Sequence, residues 1–156
     1  MHFSGFNSVM RTVFSSLALG LLVSATAFAA LNPVNKTDKG LALDGYDAVA
    51  YFMKQQAVRG NRNFTLEWNG ATWRFSTLAN KETFEKNPQR YAPQFGGYCS
   101  WAVGHNYTAN GDPEAWTIID NKLYLNYDKS VREMWLKEIP DLIKKGERNW
   151  PRLLKK

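Results

Sequence analysis

The residues able to do chemistry in this chain are few. Cys99 is the single cysteine of 156 residues, and His2 and His105 are the only histidines. A cysteine sulfur serves as a nucleophile or as a soft metal ligand, and in both roles the thiolate is the working form. His105, six residues on, supplies an imidazole that could act as a base or a second ligand. Cysteine and histidine together cannot build a four-ligand zinc site here. Copper(I) accepts two or three soft donors, so Cys99 with His105, with Met53 or Met134, or with a second chain is a sufficient set. There is no Cys-x-x-Cys pair, so oxidation of Cys99 has to be resolved by a thiol on another molecule. The alternative is a cysteine buried as a small hydrophobe.

The surroundings bear on that choice. Gly96-Gly97 permits another group to approach closely. Cys99 is expected in the first turn of a short helix over 98–103, where the helix dipole favours thiolate by about 0.3–1 kcal/mol, under one pKa unit. Asp44 and Asp47 flank Gly45-Tyr46 as turn carboxylates; brought near Cys99, either would raise its pKa. Tyr91, Phe95, Tyr98, Trp101 and Tyr107 bunch around the cysteine in sequence, as core or as the walls of a flat cleft for a ring-shaped ligand.

The elements that must position these groups lie in one domain. The chain is 44% hydrophobic, 14% aromatic and 22% charged, which excludes a disordered or collagen-like chain, and its length leaves no room for two full domains. Residues 1–29 contain Arg11 as their only Lys or Arg, an apolar run from Val13 to Val23, and Ala27-Phe28-Ala29. That is the pattern of a signal peptide cut after Ala29, and the run is too short to span a bilayer. The expected mature chain is a flexible leader over 30–40 and one domain over 41–156, located in a periplasm or secreted. Export removes nucleic acid as a partner for the formal charge of +6. Nine of the basic residues fall in 129–156; they suit a solvated helix face or weak contact with an anionic membrane surface.

Two hairpins stand out. Phe64 to Trp68, Asn69-Gly70 and Ala71 to Phe75 carry a two-residue turn whose residues tolerate positive φ; the register pairs Trp68 with Ala71, Leu66 with Trp73 and Phe64 with Phe75. Trp116 to Ile119, Asp120-Asn121 and Lys122 to Asn126 repeat the pattern. The apolar run Ala48 to Met53 has strand length. Ser76 or Thr77 caps a helix that Pro88 ends. From Asp128, apolar residues recur at three-and-four spacing through Pro140, as one kinked helix or two meeting near Glu138. The expectation is an α+β domain: an antiparallel sheet of about five strands, including two tight hairpins, covered by three helical segments.

Six motifs then give a family likeness. Asp44-Gly45-Tyr46-Asp47-Ala48-Val49-Ala50-Tyr51-Phe52, Trp73-x-Phe75-Ser76, Phe84-x-x-Asn87-Pro88-x-x-Tyr91, Gly96-Gly97-Tyr98-Cys99, Gly111-Asp112-Pro113 and Leu123-Tyr124-Leu125-Asn126-Tyr127 resemble the exported bacterial YHS domain-containing (seleno)protein family. The resemblance implies a YHS-like fold and covers nearly all of 30–156. Ordinary YHS domains are metal-associated and carry two cysteines at positions that fall here on Ser76 and Asn80, neither of which replaces a thiolate. In the exported branch the residue after Gly-Gly-Tyr, here Cys99, is selenocysteine in some relatives, which implies chemistry at that atom. The resulting expectation is a metal- or thiol-handling binding protein. Cys99 and His105 are its metal ligands, copper(I) its metal, and Asp47, Tyr98 and Trp101 its supporting residues. The alternative is a one-cysteine redox enzyme with Cys99 catalytic, acting on a small redox molecule.

Overall fold

The computed structural model describes residues 30–156; the expected signal segment lies outside the described residues. The elements in chain order are α1 (Ala50–Met53), β1 (Asn61–Trp68), β2 (Ala71–Phe75), α2 (Leu78–Lys86), α3 (Pro88–Tyr91), α4 (Ser100–Gly104), β3 (Asp112–Ile119), β4 (Lys122–Asn126), α5 (Lys129–Lys137) and α6 (Asp141–Leu153). Short 3-10 turns occupy Leu43–Gly45 and Gln94–Gly97. The domain is α+β, as the sequence leads one to expect. Its strands, however, form two separate antiparallel pairs, β1–β2 and β3–β4, four strands among the described residues rather than one sheet of about five. Six α-helices rather than three helical segments cover them among the described residues. None is long and apolar enough to cross a membrane.

The missing strand is the apolar run Ala48 to Met53, which folds as α1. Asp47 accepts hydrogen bonds from the amides of Val49 and Ala50, and this turns the chain into a helix. Ala48, Val49, Ala50 and Tyr51 are all fully buried, so the run carries no periodicity by which helix and strand could be told apart. Helix α2 begins where its cap is expected, Thr77 accepting from Asn80 N at 3.1 Å. Pro88 ends α2 and opens α3, capped by Asn87. The long amphipathic pattern resolves into α5, capped by Asp128, and α6.

Both hairpins have the expected two-residue turns, with φ of 50° and 76° at Asn69 and Gly70 and of 49° and 60° at Asp120 and Asn121. Trp68 pairs with Ala71 and Leu66 with Trp73. Phe75, however, pairs with Asn61 and not with Phe64, because the register shifts between Asn61 and Thr65. In the second hairpin, Ile118 meets Leu123 and Trp116 meets Leu125.

Strand β4 divides the core. Leu123 and Leu125 face a cluster with Trp73, Phe75 and Phe84 beneath the first hairpin, while Tyr124 faces Trp135, Leu142 and Leu153 of the last two helices. Residues 32–36, expected as part of a loose leader, are docked. Val34 is buried, Asn35 N donates to Gly96 O at 2.8 Å, and Asn32 O accepts from the Tyr98 hydroxyl.

At Gly70 a Cβ would meet nothing within 4 Å, so the φ of +76° is the only obstacle to substitution. Gly70→Val is therefore expected to cost about 1 kcal/mol or more, since a β-branched residue resists this conformation. Urea denaturation measures it, and an unchanged midpoint would contradict the turn assignment.

Candidate functional site

Cys99 is delivered by an unusual backbone. Phe95, Gly96 and Gly97 all have positive φ, and residues 33–34 cross directly over Gly96, where any Cβ would overlap the Pro33 carbonyl oxygen. The chain then extends to Cys99, the N-cap residue of α4. Its amide donates to Ala109 O at 2.9 Å and its carbonyl accepts from Val103 N at 3.0 Å.

The sulfur is enclosed, with the residue 1% exposed. The thiol donates to Asn126 Oδ1 at 3.8 Å, and backbone N–H groups of Ala102, Tyr127 and Trp101 lie against it. Those amides favour thiolate, as the sequence position suggests. Burial works against them and is the larger effect, so the thiol is pushed above its ordinary value. The expected drift toward thiolate is thus reversed, because the helix-end contribution is small beside the loss of water. The carboxylate whose charge adds to the upward shift is that of Asp128, the cap of α5, rather than that of Asp47.

Asn126, which sequence reasoning passed over although it stands in a quoted motif, is the hub beside the sulfur. It is fully buried, and its Oδ1 also accepts from Trp101 N at 3.2 Å. Its Nδ2 and the Oγ of Ser100, next to Cys99, are buried with no hydrogen-bond partner among the described residues. Donors without acceptors in a closed core cost stability.

The other expected site residues scatter. His105 caps the far end of α4, about 9 Å along the axis from Cys99. It is exposed; its Nδ1 lies 2.8 Å from Trp101 O and its ring lies on Trp101. Met53 is 69% and Met134 43% exposed, on α1 and α5. No group of three or more His, Cys, Asp or Glu side chains among the described residues is placed to hold a metal. Among the described residues, the donors expected beside Cys99 are thus not assembled at the sulfur: it is enclosed, whereas His105, Met53 and Met134 are exposed.

Tyr98 and Phe95 pack against Trp150, Tyr91 against Phe52, and Tyr107 is exposed. The aromatic residues accordingly do not form one flat cleft.

Asp47 belongs to a different cluster. Its Oδ1 accepts from Val49 N at 2.9 Å and Ala50 N at 3.2 Å. Its Oδ2 accepts from Ser76 N at 2.7 Å, Ser76 Oγ at 2.6 Å and Asn80 Nδ2 at 2.7 Å. Ser76 and Asn80 are the two positions that the resemblance assigns to cysteines. Here both are spent on a buried carboxylate.

Compared with known proteins, the chain matches no family model, no curated protein and no solved structure.

Two outcomes follow from these geometries. Asp47→Ala removes the acceptor of five hydrogen bonds at once and is expected to cost about 3 kcal/mol or more; a loss under about 1 kcal/mol in urea denaturation would contradict the cluster. The second concerns alkaline pH. The folded chain holds the Cys99 proton more tightly than the unfolded chain, whose thiol titrates near 9.0. Stability is therefore full below that pH and is lost as pH rises above it. Tyr46, Tyr98 and Tyr124, also pushed up from 10.0 by burial, extend the loss, Tyr124 being raised to about 12. Cys99→Ala should delay the onset of the fall in a series of melts against pH. An onset identical to wild type would show that the thiol does not contribute.

Proposed function

We propose that the protein is an exported, periplasmic or secreted, thiol-handling binding protein of the YHS type, with the Cys99 sulfur as its working atom and a small redox molecule as what it meets. The observation that carries this reading is the buried Asn126 Nδ2, without a partner among the described residues, on the side chain whose Oδ1 accepts from the thiol, together with the amides of Trp101, Ala102 and Tyr127 against the sulfur. A thiol offers such donors a poor acceptor. An oxidised or anionic sulfur offers a good one. Attack of the sulfur on hydrogen peroxide breaks the O–O bond, leaves sulfenic acid on Cys99 and releases water; two equivalents of an external thiol then reduce it to the cysteine, are themselves oxidised to their disulfide, and carry away the oxygen as a second water. No second cysteine is available to resolve the intermediate. Among the described residues copper(I) would find one soft ligand at this sulfur, and no metal step enters the reading.

Enclosure of the sulfur favours a second reading, an interaction module in which Cys99 is simply core. The two part under peroxide. In the thiol-handling reading, native protein treated with hydrogen peroxide yields Cys99 sulfenic acid that dimedone traps and mass spectrometry locates. Asn126→Ala, checked for folding by its melt, shortens the lifetime of that species. Oxidation confined to denatured protein would sink this reading and leave the core thiol.

A further inference from the structure

A second pocket, separate from Cys99, lies between residues 37–41 and the first hairpin. It has a volume of about 360 Å³ and is lined by Lys39, Arg59, Arg62 and Arg74 against two carboxylates, Asp38 and Asp44. Four cations facing two anions leave a local charge of +2. Arg59 is already committed, donating to Asp44 O at 2.8 Å and to its Oδ2 at 3.1 Å, with the guanidinium 4.1 Å over the Tyr46 ring. Arg74 is not. Its Nε is buried without an acceptor, and neither Arg74, Arg62 nor Lys39 has an ion-pair partner among the described residues.

The placement of Arg74 is built into the backbone. Gly60 N donates to Gly45 O at 2.9 Å, which holds these two glycines side by side beneath the Arg74 stem. A Cβ on Gly60 would come within 2.5 Å of Arg74 Cβ, and one on Gly45 within 3.6 Å of its Cδ. The fold thus clears a slot for this side chain, removes much of its rotamer freedom and partly desolvates its guanidinium, yet supplies it with no acceptor. An unpaired, half-buried cation is costly in isolation. An oxyanion in the pocket would neutralise the guanidinium through its terminal N–H groups, the enclosed Nε lying out of a ligand's reach, and the planar fork matches the oxygens of a phosphate.

We propose that this pocket binds the dianionic phosphate of a phosphomonoester, carried on a soluble small molecule or on a lipid headgroup such as that of phosphatidic acid. Arg74 is the anchor, with Arg62 and Lys39 completing the charge. The assignment is independent of the chemistry at Cys99.

Titration of the protein with inorganic phosphate, above the second ionisation of phosphate and followed by NMR, should give saturable shifts at the Arg74 Nε–H and the Leu41 amide. Chloride at matched ionic strength should not reproduce them. Arg74→Gln should weaken binding by about tenfold or more, whereas Lys129→Gln, which removes the same charge on α5 outside the pocket lining, should change it by less than about twofold. If Arg74→Gln fails to fold, Arg62→Gln, at an exposed position, carries the same expectation with a smaller loss. Sedimentation with phosphatidylcholine vesicles containing phosphatidic acid, lost in the same variant, identifies a lipid source. Phosphate binding without sedimentation identifies a soluble one, and either supports the site. Absence of saturable phosphate binding in the wild type, or equal weakening by Lys129→Gln, overturns it.

Discussion

The buried carboxylate of Asp47 is the constraint on which the first half of the domain depends. A charged group taken out of water must be met by donors on every side or it unfolds its surroundings. Here the donors come from two places far apart in sequence: the amides opening α1 and the Ser76–Asn80 junction between β2 and α2. Meeting them fixes α1 against the hairpin. It also sets Tyr51 in the core, where its hydroxyl reaches Pro113 O at the start of β3. The cluster is closed and neutral in its hydrogen-bond accounting.

The Cys99 site has the opposite character. Its amides and side chains are arranged about a thiol that burial keeps protonated, and two polar atoms are left without partners. One half of the molecule therefore holds a polar cluster that is satisfied and structural. The other holds a polar cluster that is incomplete. Strand β4 joins them, giving its leucines to the first core, Tyr124 to the second and Asn126 to the sulfur.

Local chemistry in the sequence was enough for the features that depend on neighbours in the chain. Asn69-Gly70 and Asp120-Asn121 form the turns they suggest, and Thr77, one of the two caps read from the sequence, caps α2. What could not be read depends on partners distant in sequence. Ala48 to Met53 turns into helix α1 at Ala50 because of Asp47, yet its even apolarity suits a strand equally well. The slip that separates Phe64 from Phe75 leaves no mark in the alternation of either strand. Of the candidate site, Cys99 was legible as a position and illegible as an environment, because its enclosure is made by β4, α4 and the segment after Asn126. His105 was drawn to Cys99 by proximity in sequence, and the intervening helix separates them.

The crossing of residues 33–34 over Gly96 bears on how the Gly96-Gly97-Tyr98-Cys99 motif is to be understood. A glycine pair just before a cysteine invites the view that it exists to open a path to the sulfur. Yet any side chain at 96 would collide with the backbone of the N-terminal segment. The requirement for glycine at 96 is therefore met by the chain crossing alone, and would hold whatever residue stood at 99.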